Sequence, residues 1–282
     1  MKADCHMHMV LDGFDWKASI ARHKESPHIP TIRAALDIYR KQGYTYLRDG
    51  GDRWGVGAAA RAIAPEYGIT YRTPLAPLCK AGHYGSFIGA VYADLKEYAA
   101  LVRSHQEKGA DFIKIMISGL MDFDRAGVLT EEGLSSHEIQ ELIHIAHEEG
   151  FSVMAHCNGP RTMEAAAEAC VDSIEHGAYA DSDALCAMAE SKTVWVPTVS
   201  TVANLRGKGR FNENAVAAIL ESTTENIRKF AALGGILAPG SDAGAWAVPH
   251  GADTEHDLLG QILGENADAI LDIGTKAVME RF

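Results

Sequence analysis

Three consecutive stretches decide the fold: DFIKIMISG (residues 111–119), SSHEIQELIHIAHEEG (135–150) and FSVMAHCNG (151–159). The outer two are short apolar runs of β type that end at glycine. The middle one has helical period, with Ile139, Leu142, Ile143 and Ala146 on one face. Ser135 with Glu138 three positions on forms a capping-box start, and Gly150 supplies the stop. On the same helix, His144 and His147 fall at the surface or edge and are read as structurally neutral. A strand, a helix and a second strand in this order require parallel strands joined by a crossover helix.

The pattern extends in both directions. TYLRDGG (45–51) precedes the helical GVGAAARAIAPEYG (55–68), DSIEHGA (172–178) precedes DSDALCAMAES (181–191), and TVWVPTVS (193–200) precedes the helix that begins at Asn212. With ADCHMHMV (3–10), ITYRTPLAPL (69–78) and GILAPGSDAG (235–244), eight strand runs are counted in 282 residues. That number and length match a (β/α)8 TIM barrel forming one domain over residues 1–282. A doubly wound sheet would also alternate, but no GxGxxG turn follows the first strand.

A formal net charge of −12 argues against nucleic acid or an anionic membrane as partner. The chain has neither an 18-residue apolar run nor the pattern of a signal peptide, so a soluble, cytoplasmic protein acting on a small molecule is expected. The five cysteines are scattered without a CxxC pair, which fits buried apolar residues and not a disulfide framework.

Chemistry-bearing residues recur at one station of the repeating unit. His6 and His8, two apart on a strand, point to one face, as two nitrogen ligands for a metal would. Lys114 interrupts FIKIMI, His156 ends SVMAH, His176 ends SIEH and Asp242 ends ILAPGSD. In a barrel all these strand ends open onto the face that holds the active site.

DCHMHM, GADFIKIMISG, AHCNG, IEHGA and GSDAG, in this order and with LRDGG and GHYG between, resemble the amidohydrolase superfamily, and within it the imidazolonepropionase-like dipeptidases and deacylases. The resemblance runs from about residue 3 to about residue 279. It implies a binuclear site: His6, His8 and Asp242 hold one divalent ion, zinc by default, and His156 and His176 hold a second. Lys114, carboxylated by CO2, bridges the two. A lysine desolvated beside cations favours its neutral amine, which suits that reaction. The resemblance also implies Asp242 as proton carrier, His83 in KAGHYGSF as a hydrogen-bond donor to the developing oxyanion, and possible assembly into a homo-oligomer.

The expected reaction is hydrolysis of an amide in a dipeptide or N-acyl amino acid. Hydrolysis of lactones, organophosphate esters or cyclic amides on the same site, and a catalytically silent metal-binding barrel, are the alternatives. The resemblance departs in two places: the accessory β-sandwich that many relatives carry has no sequence here, and Leu120 replaces the usual second glycine after Ser118–Gly119. Tyr84, Arg125, Tyr179, Asn204, Arg206, Trp246 and His250 lie in segments after strands, where barrels select substrates; an arginine there suits a substrate carboxylate. The segment VANLRGKGRFNENA (202–215) is read as a lid or a surface loop.

Overall fold

The computed structural model describes residues 2–282, and Met1, the first residue of the expected domain, lies outside them. Its strands are β1 (Lys2–Met7), β2 (Tyr44–Asp49), β3 (Thr70–Arg72), β4 (Leu78–Lys80), β5 (Ala90–Tyr92), β6 (Ile113–Met116), β7 (Val153–Cys157), β8 (Ser173–His176), β9 (Val194–Val196) and β10 (Ile236–Leu237). Every named pairing is parallel, in the orders β1-β2-β3 and β10-β9-β8-β7-β6-β4-β5.

Backbone hydrogen bonds join the two sheets into a ring. On one side Cys5 N donates to Pro239 O (2.8 Å), Asp242 N to His6 O (2.7 Å) and His8 N to Ala243 O (2.7 Å). On the other, Asp111 N donates to Thr73 O (3.0 Å), so β3 and β4 act as two halves of one barrel strand. The sequence reads that strand as continuous over 69–78. It is broken because Pro74 and Pro77 lack the N–H that a ladder needs, and Leu75 between them has φ +64°. β5 pairs only with β4, outside the ring.

Helices α1 (Trp16–His23), α2 (Ile29–Lys41), α3 (Val56–Ile63), α4 (Leu95–Glu107), α5 (Ser136–Glu148), α6 (Pro160–Glu168), α7 (Ser182–Glu190), α8 (Ser200–Ala203), α9 (Glu213–Ala232), α10 (Thr254–Leu263) and α11 (Ala267–Arg281) cover the outside. In α5 the four apolar positions are fully buried, and Ser135 Oγ accepts the Glu138 N–H (3.3 Å). The Glu138 carboxylate bonds Lys80 Nζ (2.8 Å), leaving the cap one-sided. His144 and His147 lie at the surface, where each meets a carboxylate. Inside the barrel, Ala3, Cys5, Tyr46, Met154, Val194 and Val196 pack towards the end closed by Phe112 and Phe282, whose rings meet edge to face at 5.2 Å. Among the described residues no helix is long and apolar enough to cross a membrane.

α1 begins at the barrel mouth and ends on His23, whose Nδ1 accepts the His28 N–H (3.0 Å). Burial, and then the neighbouring Arg22, lower its pKa to about 4. Because the folded ring refuses a proton that the unfolded chain accepts near pH 6.5, this contribution to stability is complete above that range and fades as pH falls towards 4. Urea melts at pH 7 and pH 4.5 should therefore show a smaller loss on acidification for His23→Gln than for the parent protein; equal losses would remove His23 as an acid-sensitive element.

Candidate metal centre at the barrel mouth

The strand ends bring the sequence's distant histidines into a continuous arc. Ring centroids are 5.3 Å apart for His8 and His6, 5.1 Å for His6 and His176, and 4.6 Å for His176 and His156. Asp242 Oδ1 lies 3.4 Å from His8 Nε2 and 3.6 Å from His6 Nε2. Donor atoms of these three residues all fall within 4.8 Å of one another, a separation that one cation can span. Lys114 is buried among them, and its Nζ has no hydrogen-bond partner.

Neighbouring groups settle which nitrogens face outward. His156 Nε2 lies 3.2 Å from the Gly119 carbonyl, which Asn158 Nδ2 also meets (3.0 Å), leaving Nδ1 as the uncommitted nitrogen. His176 Nδ1 lies 2.7 Å from Thr198 Oγ1, leaving Nε2. His6 Nδ1 lies 2.9 Å from Glu175 Oε2, again leaving Nε2. Asp4 braces the β1 end by accepting from Ser241 N (2.8 Å) and His6 N (3.3 Å), and Glu255 does the same for the turn after β9 through Val199 N (3.0 Å) and Ser200 N (2.7 Å). Gly50, in LRDGG, makes room for His8: a Cβ there would overlap the imidazole.

The backbone is strained at the same places. His176 (φ +69°), Thr198 (+49°) and Asp242 (+55°) all adopt the left-handed region, which costs side-chain-bearing residues about 1–3 kcal/mol each. Electrostatics point the same way. Burial, and then Lys114, lower His8 and His156 to about 3; burial holds His6 and His176 well below the usual histidine range. All four are neutral at pH 7, the form in which an imidazole can ligate. Burial also lowers the pKa of Lys114 and raises that of Asp242.

These groups form the floor of a cavity of about 800 Å³. Its walls carry the rings of Phe14, Trp16, Tyr84, Phe87, Phe211 and Trp246.

No protein-family profile matches the sequence, and no curated protein does. Solved structures do match. A Xaa-Pro dipeptidase with bound methionine in its active site aligns over 99% of this chain and 75% of its own, at 21% identity and TM-score 0.78. A protein described as an amidohydrolase aligns over 99% and 74%, at 23% identity and TM-score 0.78. The chain shares the fold of these structures. Ochratoxinase of A. niger shares it over 98% of this chain and 71% of its own, at 21% identity and TM-score 0.77.

Within this barrel, the residues expected to touch substrate divide. Tyr84 and Trp246 are on the cavity wall, and the Tyr84 ring lies 4.8 Å from that of His156. His83 is off the wall, half-buried, with Nδ1 3.5 Å from Glu131 Oε1. Arg125 is exposed and paired with Asp122 (2.6 Å), and Arg206 is exposed away from the wall. His250 uses both nitrogens internally, on Tyr39 OH (3.3 Å) and Leu11 O (2.8 Å). Tyr179 lies off the wall against the cluster that contains Val202 and Leu205, and Asn204 Nδ2 donates to Ala247 O (2.9 Å). The arginine that does reach the wall is Arg210, stacked 4.4 Å from the Trp246 ring centroid and 5.2 Å from that of Phe211. Its segment, read as a lid or a loop, is tied down by Asn212 N donating to Asp124 Oδ1 (2.8 Å). Leu120, in place of the second glycine, lines the cavity.

A buried amine without a partner opposes folding by about 1–3 kcal/mol. Lys114→Met should therefore raise the stability of the metal-free protein by about that amount in urea melts, and a marked loss would mean that Lys114 is a structural residue.

Proposed function

We propose that the chain is a metal-dependent hydrolase that cleaves an amide bond in a dipeptide or N-acyl amino acid. One observation carries this reading: four neutral, buried imidazoles, an orphaned lysine amine and a carboxylate converge at the open end of a closed barrel. The donor set fits two cations. His6, His8 and Asp242 would hold one, and His156 and His176 would hold the other through the nitrogens that their neighbours leave free. Lys114, whose neutral amine can add to CO2 with loss of a proton to give an anionic carbamate, would supply a further oxygen donor to the same centre. The orphaned Nζ supports this reading, since a carbamate oxygen would have cations to meet where an ammonium has none. Two divalent ions, zinc by the nitrogen-rich donors, supply acidification of a water and polarisation of the amide carbonyl.

The chain's own groups do the rest. Asp242 accepts a proton from the attacking water and delivers it to the amide nitrogen, so the C–O bond forms as the C–N bond breaks. Burial keeps the affinity of Asp242 for a proton high enough to serve as acceptor, while adjacent cations favour its ionised form. The aromatic wall excludes water and holds an apolar side chain or acyl group. Arg210 is the cation placed to meet a substrate carboxylate, since its stacking leaves the guanidinium edge free and no carboxylate pairs with it among the described residues.

Names among the structural neighbours, a dipeptidase and an amidohydrolase, favour the amide over the ester and lactone alternatives. With zinc and bicarbonate supplied, the protein is expected to hydrolyse N-acyl amino acids or dipeptides, and Asp242→Asn to lower kcat by about 10²–10⁴-fold. Undiminished turnover in that variant would discard the mechanism. Arg210→Gln should raise KM for N-acyl amino acids and leave it unchanged for the corresponding acyl amides that lack the carboxylate. A uniform change across both series would detach Arg210 from carboxylate recognition.

A further inference from the structure

Beneath the candidate metal centre lies a charge pair that no ligand role uses. Arg48 of β2 and Glu175 of β8 are both 0% exposed, with Arg48 NH2 2.8 Å from Glu175 Oε1. Ser173 Oγ donates to the same Oε1 (2.6 Å) and accepts from Arg48 NH1 (2.9 Å), and Arg48 Nε donates to the Cys5 carbonyl (2.6 Å). The guanidinium rests 4.3 Å from the centroid of the Phe282 ring. Two donors therefore hold one oxygen of Glu175, and the arginine that supplies one of them is itself fixed by Cys5, Ser173 and the Phe282 ring.

The other oxygen, Oε2, is directed elsewhere. It lies 2.9 Å from His6 Nδ1, an approach outside hydrogen-bond alignment, and neither atom has a hydrogen-bond partner. A buried carboxylate needs a donor, and a buried imidazole needs its N–H satisfied. A rotation of the imidazole at this 2.9 Å separation aligns an Nδ1 proton with Oε2 and meets both needs, and His6 then presents the Nε2 lone pair to the centre.

We propose that Glu175, clamped by Arg48 and Ser173, is the positioning residue that sets the tautomer and orientation of His6 and thereby raises the site's affinity for a divalent cation. The inference rests on the metal-centre reading above. Sequence position hides it, because Glu175 is adjacent to the ligand His176 yet serves the ligand at the opposite end of the chain. Glu175 is buried on the barrel's interior side of β8 while the His176 backbone turns to φ +69°, so neighbours in sequence act on different imidazoles.

The experiment compares the full chain with Glu175→Gln and with the double variant Arg48→Met/Glu175→Gln, which removes the buried arginine that the single change leaves uncompensated. Zinc affinity is read by competition with a chromophoric chelator, and ¹⁵N NMR of the metal-free proteins reports the His6 tautomer. The parent is expected to show the Nδ1–H form of His6, and both variants to lose it and to bind zinc about 10–100-fold more weakly. A role limited to balancing Arg48 would lower the melting temperature of the single variant only, and would leave the tautomer and zinc affinity of the double variant as in the parent; that result overturns the inference. If the parent itself binds no zinc, the hydrolase reading fails, while the tautomer comparison still decides whether Glu175 orients His6.

Discussion

Barrel closure between the first strand and the last is the constraint on which the site depends. The three backbone bonds that join Cys5, His6 and His8 to Pro239, Asp242 and Ala243 unite the two ends of the chain. They also place the Asp242 carboxylate against both histidines of the opening motif. Asp4 reinforces the seam by holding Ser241 through its backbone and its hydroxyl. Without this closure the motif at the start of the chain has no carboxylate partner, and the arc of imidazoles is cut at His6.

The site is built against stability. Neutral histidines, a desolvated lysine and a carboxylate with raised proton affinity are gathered where solvent cannot satisfy them. Three left-handed residues at the ends of β8, β9 and β10 add backbone strain. Apolar packing elsewhere offsets these costs: the helix layer and barrel wall share one extensive cluster around Ile113, Ile115, Trp195 and Phe230. Local rules are broken at the mouth and obeyed in the surrounding shell, which is the distribution expected when function and not folding selects the exceptions.

The mouth divides into a polar floor and an aromatic rim. The floor is held by strand ends and by buried acceptors such as Gly119 O and Glu175, so its geometry is set before any ligand arrives. The rim comes from less regular segments. Phe14 and Trp16 are large and exposed (71% and 48%), with Trp16 edge-on to Phe87 at 5.5 Å. Across the cavity, Phe211 meets Phe123 at 5.2 Å, which links the segment after β9 to the segment after β6. The proposed chemistry and selectivity would thus fall to separate parts of the structure, as in other barrels whose loops vary over a constant frame.

The sequence by itself determined the alternation of parallel strands and helices, and it marked His6, His8, Lys114, His156, His176 and Asp242, because a residue at a strand end needs only the period of its own strand to be located. It also foretold the α5 start and the burial of its apolar face. Only the tertiary structure decided what the remaining side chains meet. Arg48 and Glu175 are charged residues inside apolar strands, a signal that sequence could have raised, but their partner His6 lies on a third strand. Arg210 displaces Arg125 and Arg206 at the cavity because loop direction is set by packing on Trp246 and by the Asn212–Asp124 bond, neither of which has a sequence period. The break in the third barrel strand shows the same limit: Pro74 and Pro77 were visible, but whether they ended the strand or bent it depended on β6 standing ready to pair with the second half.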